Sequence, residues 1–213
     1  MLTDIEKVEA AAPAELRRFL PRETVLTQRV IIVPTMPRAP VAPPRAHQVL
    51  LTNGATVLLR SILPSDAPRL RAAFHALSAE SRYRRFLGHM TDLSPQMLDY
   101  LCAVDGWDHV AVVALLPDAG GRERLVGVAR FIRTRDEIDG AEVAITVADE
   151  LHGRGLGTHL LDVLTRAAVV RGIRRFTAYA LRDNKAIRRV LAHLGPTTEH
   201  DDDTVELKLA SRR

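Results

Sequence analysis

The chain holds a single cysteine, Cys102, among its 213 residues, and that scarcity excludes an internal disulfide framework. No Cys or His cluster stands at metal-ligand spacing, so nothing argues for a structural zinc or any other metal. Cys102 lies in M-L-D-Y-L-C-A-V, where buried packing is a better reading than a nucleophile. Long apolar runs are missing too: none approaches the roughly eighteen residues that a membrane-spanning helix needs. The start, M-L-T-D-I-E-K, has neither the charge nor the apolar stretch of a signal peptide, and a cytoplasmic protein is expected. Aromatic residues are few, and no repeat of about 20 to 50 residues is visible. Charge of one sign is also in short supply. The net charge of +4 is modest, and the basic residues are spread rather than gathered in a stripe. The densest cluster, Arg82, Arg84 and Arg85 around Tyr83, reads as a solvated helix face; nucleic acid is not required, although such charges could steer a polyanionic ligand.

Proline, by contrast, is abundant in one place. Pro34, Pro37, Pro40, Pro43 and Pro44 are five of the twelve prolines, and their spacing favours an extended tether. The chain therefore divides near residue 50 into an N-terminal arm and linker, 1–49, and a main domain, 50–213. Within the arm, Ile5 to Leu20 can form a short amphipathic helix and Val30 to Val33 a small strand, but the piece is too short for its own core. Three placements are open: across the main domain, against a second subunit in a homodimer, or over a substrate groove.

In the main domain, periodicity and turn residues predict a strand at 55–61, helices within 66–103, strands at 108–116, 123–133 and 141–148, a helix at 156–171, a strand at 174–181, a helix at 184–194 and a strand at 203–210. Asp118 to Arg122 reads as a hairpin turn, and the first helix is expected to be capped near Ser65 or Asp66. The strand, glycine turn, helix and next strand around residue 155 make one crossover, which favours a parallel pair. A mixed, twisted α/β sheet with helices on both faces follows.

The most informative stretch is E-V-A-I-T-V-A-D-E-L-H-G-R-G-L-G, Glu142 to Gly157. Gly153, Gly155 and Gly157 lack a Cβ, so backbone N–H groups can line a concavity into which an anion fits. A helix then begins, with Leu156, Leu160, Leu161, Leu164, Ala167 and Ala168 on one face, and it adds free N–H groups and the positive end of its dipole. Glycine at such a corner can also serve geometry alone. The stretch is not a P-loop, because no Lys follows, and G-x-G-x-G is not a dinucleotide fingerprint. Glu142 interrupts an otherwise apolar strand on the same face as Ala144 and Thr146. It is either a base whose pKa is raised by partial burial, or a carboxylate in solvent or paired with Arg130 or Arg133.

His152 to Gly157, H-G-R-G-L-G, resembles the acyl-CoA pyrophosphate loop R/Q-x-x-G-x-G/A of GNAT-type N-acetyltransferases, with His152 in place of Arg or Gln. The likeness continues through L-T-N-G-A-T-V-L-L-R-S-I-L-P-S-D (51–66), through A-L-S-A-E-S-R-Y-R-R-F (76–86), similar to bacterial protein-lysine acetyltransferases, and through a helix that Asp183 can cap. It spans roughly residues 50 to 210. It implies the GNAT fold and acetyl-CoA as co-substrate. The pyrophosphate would lie on the loop His152, Gly153, Arg154, Gly155, Leu156, Gly157 and Thr158, pantetheine along Ile145, Thr146 and Val147 with the Val147 N–H polarising the thioester, and the CoA arm against Asn184. Glu142 matches the general base of the protein-lysine subgroup. The tyrosine that many members place seven residues after the Asn is Leu191 here, which removes a dedicated acid for the leaving thiolate; solvent can supply that proton. The resemblance implies acetyl transfer to a primary amine, most readily a protein lysine. Acetylation of a small amine such as an aminoglycoside or polyamine is the near competitor, to which Asp201 to Asp203 could contribute acidity. A non-catalytic acyl-CoA-binding module is the third reading.

Overall fold

The computed structural model describes residues 41–86, 88–118, 120–134, 137–181, 183–199 and 204–209. The anticipated helix at Ile5 to Leu20, the strand at Val30 to Val33 and the acidic run Asp201 to Asp203 lie outside them. No helix among the described residues is long and apolar enough to cross a membrane.

The described strands form one sheet. In chain order they are β1 (His47–Leu50), β2 (Thr56–Ser61), β3 (His109–Pro117), β4 (Glu123–Arg133), β5 (Gly140–Val147), β6 (Arg175–Tyr179), β7 (Thr197–Glu199) and β8 (Thr204–Lys208). They lie side by side as β1-β2-β3-β4-β5-β6-β8-β7. All neighbours are antiparallel except β5 and β6, as the crossover through α4 (Leu156–Val169) predicts. The helices α1 (Ala67–Ala76), α2 (Ala79–Phe86) and α3 (Pro95–Cys102) fall between β2 and β3, and α5 (Lys185–Leu194) follows β6. Strands β1 and β7 are short edge pieces beyond those predicted.

Alternation along the long central strands puts a core on each face. Val110, Val112, Ala114, Ala129 and Phe131 meet Leu156, Leu160, Leu161 and Leu164 of α4 on one side. Ala111, Val113, Leu115 and Leu125 meet Leu70, Phe74, Phe86, Leu93 and Met97 on the other. Cys102 belongs to the second core, where burial raises its thiol pKa and leaves it a packing residue.

Two local readings need correction. Asp66 stands at the N-cap of α1 but makes no side-chain cap. Its carboxylate is 0% exposed and accepts from both Arg60 terminal nitrogens, at 2.6 and 2.8 Å, and from the Leu63 N–H at 2.9 Å. Burial would raise its pKa, but those donors outweigh burial and hold it below the ordinary value. At α5 the cap is Asn184 rather than Asp183: its Oδ1 accepts from the Ile187 N–H at 3.3 Å. The hairpin turn at Asp118 is as expected, with the Asp118 carboxylate accepting from the Gly120 and Arg122 amides.

Gly127 of β4 lets α4 settle onto the sheet, because a Cβ there would lie 2.9 Å from Leu160 Cδ1 and 3.3 Å from Leu156 Cδ2. Replacing Gly127 with Val is expected to lower stability by about 1–3 kcal/mol through overpacking. Urea denaturation checks this, and an unchanged midpoint would show that α4 has room to move.

Candidate active site

β5 and β6 are paired only at Gly140–Arg175, Ala141–Phe176 and Glu142–Thr177. Beyond Glu142 they part: β5 continues against β4 alone, and β6 against β8. The Gly140 carbonyl accepts from Thr134 N and the Ala148 N–H donates to Val126 O, so even-numbered residues of this stretch turn their backbone groups to β4. By alternation, Val143, Ile145 and Val147 turn theirs into the opening. A strand edge inside a sheet is thus left free for an extended ligand to pair with.

The opening is the floor of a cleft of about 540 Å³. Glu142, Ile145, Thr146, Val147, His152, Gly153, Gly155, Leu156, Gly157, Thr158 and Asn184 all line it, so sequence-chosen residues from three separate elements meet in one place. Arg154 is not among the lining residues; its carbonyl accepts from the Thr52 N–H at 3.3 Å and ties the turn to the β1–β2 corner. Leu191 lines the cleft as well, buried and apolar, so the position where many members carry a tyrosine acid reaches the cleft but brings no proton donor to it.

The turn has the geometry its glycines suggest. Gly153 and Gly155 have φ of +70° and +86°, and Gly155 is the residue preceding the first turn of α4. A Cβ added at either would meet nothing within 4 Å, so the space above the turn is open and the glycines answer to backbone conformation. Gly157 sits where three elements converge, 3.6 Å from Val190 and 3.7 Å from Ile145 as measured from an added Cβ. His152 Nε2 donates to the Val147 carbonyl at 3.0 Å, so this substitution for Arg or Gln holds the end of β5 against the turn.

Glu142 is partly buried at the last paired position. Burial pushes its carboxyl up to about 7, against an opposing pull from the Arg85 guanidinium. Neither Arg130 nor Arg133 is its partner. Arg130 donates to Leu101 O at 2.9 Å and contacts His109 Nε2 at 3.2 Å, while Arg133 binds Asp108 Oδ1 at 2.6 Å and Arg171 O at 2.7 Å. Sequence reasoning missed Arg85, having taken the arginines of α2 as a solvated face; Arg84 and Arg85 both line the cleft. The available signal was Phe86 beside them, which is buried and pulls this end of the helix inward.

Asp149, just past β5, fixes α2 in this position. Its carboxylate accepts from the Ser78 N–H at 2.7 Å and from the Ser81 hydroxyl, so it braces the start of α2, whose own cap is the Ser78 hydroxyl accepting from the Ser81 N–H at 3.1 Å. Burial opposes its ionised form, but the serine donors win and keep its pKa low. At the other rim, Arg84 reaches Asp183 at 3.4 Å and spans the cleft mouth from α2 to the foot of α5.

A family model described as acetyltransferase (GNAT) domain matches residues 56–197. The chain belongs to the GNAT acetyltransferase family. Acetyltransferase Pat of Mycolicibacterium smegmatis is 34% identical over 154 residues, which is 72% of this chain and 45% of Pat, so the chain spans less than half of that relative. Acetyltransferase PA5475 of Pseudomonas aeruginosa is 34% identical over 157 residues, 72% of this chain and 81% of the relative. The crystal structure of the GNAT domain of S. lividans PAT superposes with a TM-score of 0.69 at 30% identity, covering 77% of this chain and 97% of that one. The parted strands and the glycine turn are therefore those of a GNAT domain, and its sheet is the mixed one expected.

Asp149→Ala should cost about 1–2 kcal/mol, since it removes the shared acceptor of the Ser78 N–H and the Ser81 hydroxyl. Ser81→Ala should cost less, because it leaves the Ser78 bond to Asp149 intact. Chemical denaturation of both variants checks the ranking, and equal costs would contradict the brace.

Proposed function

We propose that the protein is an N-acetyltransferase that moves an acetyl group from acetyl-CoA to a primary amine, and that the amine is a protein lysine. The observation that carries the reading is Glu142: a carboxyl poised near 7 where β5 leaves β6, facing a cleft that ends in open helix N–H groups. A carboxylate whose pKa lies near the working pH is the general base that deprotonation of an ammonium acceptor requires.

In this reading the CoA pyrophosphate lies on the amides of Gly153 and of Gly155 to Thr158, where the α4 dipole favours negative charge, while the Arg154 N–H is given to the Leu151 carbonyl at 3.3 Å. Pantetheine takes the free edge of β5. The Asn184 oxygen serves the helix cap, so its contact with CoA comes from the amide NH₂. Two N–H groups further along that edge are candidates for polarising the thioester. Val147 is five residues from Glu142, about 17 Å along the strand, whereas Ile145 is three residues away, about 10 Å. Ile145 N–H therefore suits a carbonyl within reach of the base, and Val147 suits pantetheine. The amine nitrogen attacks the thioester carbon, forming the C–N bond; Glu142 takes the amine proton directly or through water. The C–S bond then breaks, and the CoA thiolate leaves to be protonated by solvent. No covalent acyl-enzyme and no metal enters these steps.

The relatives named Pat and PAT support a protein acceptor. So does the charge of the cleft. Arg85 and Arg189 line it against Glu142, and Arg84 stands at its rim between Glu80 and Asp183, a lining in which arginines outnumber carboxylates and which suits polyanionic CoA better than a polycationic small molecule.

Glu142→Gln should lower kcat by about 10²- to 10⁴-fold with little change in affinity for acetyl-CoA. In the unchanged protein, kcat/KM should fall as pH drops through about 7, because protonation removes the base. CoA release measured across pH with a lysine-bearing protein acceptor checks both; equal rates in the two proteins would remove Glu142 from the chemistry. Arg85→Met should move the acid limb to higher pH, since the guanidinium charge is what holds the Glu142 pKa down. A loss of rate without a moved midpoint would make Arg85 structural only.

A further inference from the structure

Tyr179 closes β6 and lines the cleft, and among the described lining residues it alone carries a phenyl or indole ring. On β6, Phe176 and Ala178 enter the core against α4, so Thr177 and Tyr179 point to the other face of the sheet. On β5, Ala141 and Val143 enter that same core, which puts Glu142, Ala144 and Thr146 on the other face as well. Glu142 pairs with Thr177, so Tyr179 stands level with Ala144, about 7 Å along the strand from the base and across the parted gap. Arg85, from α2, lines the cleft on the side of the same carboxyl. An amine that reaches Glu142 from this face therefore passes between a guanidinium and an aromatic ring.

The Tyr179 ring is 39% exposed and belongs to neither hydrophobic core. Two chemical roles suit its place. As a proton donor, its phenol would have to reach the leaving sulfur, which in the reading above lies between the strands, on the Val147 side of the carbonyl. The side chain instead rises from the sheet on the face of Glu142. As a wall, the ring lies beside the path of the amine: its face covers the methylenes of an alkyl stem and attracts the ammonium that Arg85 repels, until Glu142 takes the proton. Ala144 and Thr146 are too small to offer such a surface from β5. The second role is the one the direction of the side chain favours.

We propose that Tyr179 is the wall that selects the acceptor, and that across the gap from Ala144 it bounds a slot for an unbranched alkylamine, which is the side chain of lysine. This deepens the proposed function and rests on its reading of the cleft. The α-amine of a chain terminus, or any amine branched beside its nitrogen, would meet the ring before the nitrogen reached the half-buried Glu142. The chemistry is unchanged, since the same C–N bond forms and the same C–S bond breaks, and Tyr179 exchanges no proton.

The test uses n-butylamine, the lysine side chain without its backbone, beside ethylamine and a lysine-bearing protein, with CoA release as the readout. The unchanged protein should favour n-butylamine over ethylamine by about tenfold in kcat/KM, the usual effect of two covered methylenes. Tyr179→Ala should raise the KM for n-butylamine by about tenfold and bring the two amines within about threefold of each other, while kcat and acetyl-CoA affinity move less than about threefold. Tyr179→Phe, which keeps the ring and loses the hydroxyl, should restore the acceptor KM. If Tyr179→Ala does not fold, Tyr179→Thr keeps strand propensity and carries the same expectation. A kcat that falls as far in Tyr179→Phe as in Tyr179→Ala would make the phenol a proton donor and overturn the wall. So would an acetyl-CoA affinity that falls with the acceptor affinity, an unmoved acceptor KM, or acetylation of the protein with n-butylamine refused. Should nothing be acetylated, the proposed function fails by itself. Saturation-transfer NMR of n-butylamine on the protein with CoA then decides the slot: no signal on the methylenes, or one that survives Tyr179→Ala, overturns it.

Discussion

The rest of the site depends on one interruption in hydrogen bonding, the parting of β5 from β6 after three paired residues. A buried strand edge with unmet N–H and C=O groups is costly, and folded proteins seldom keep one without a use. Here the cost is limited because each strand keeps its other neighbour, β4 or β8, along its whole length. The gap is widest toward the glycine turn and closed at Glu142. The gap thus runs from the amides that open α4 at one end to a half-buried carboxyl at the other.

Two of the supports around the gap are long-range and one is local. Asp149 holds α2 by its N-terminus, the Thr52 to Arg154 bond holds the turn, and His152 holds the end of β5. Only the last, at the Val147 carbonyl, serves a backbone group of a parted strand. The electrostatics follow from the same geometry: Glu142 is desolvated because strands flank it, and Arg85 approaches because α2 is pinned there. The basicity of the carboxyl is thus a property of the packing of three elements.

Much of this was legible in the chain. Alternation in β3 to β5, the glycines at 153, 155 and 157, and the apolar stripe of α4 predicted their elements to within two residues, because each reflects local geometry. Glu142 stood out as a charge in an apolar strand. What did not show was the partner of that charge. In Arg82-Tyr83-Arg84-Arg85 the residues face three directions on a helix of eight, and only tertiary contact decides which arginine goes inward. The Asp149 brace was hidden for a related reason, since it joins residues 71 and 68 positions apart in sequence. Likewise, Asp66 looked like the cap of α1, but its carboxylate turns back to the Arg60 guanidinium and the Leu63 N–H, because two charge-assisted bonds and one amide in a buried site outweigh a bond to an α1 amide. The edge strands β1 and β7, four and three residues long, carry too little pattern to be read.

The Arg84 to Asp183 contact across the cleft mouth joins side chains that are 32% and 70% exposed. Pairs in that setting contribute about 0–1 kcal/mol, comparable to thermal energy. Such a clasp breaks and re-forms readily and sets no barrier at the mouth. Arg84 also holds Glu80, one turn earlier on α2, at 2.6 Å, so letting go of Asp183 leaves its guanidinium paired. Opening the mouth therefore requires little reorganisation of the surrounding charge.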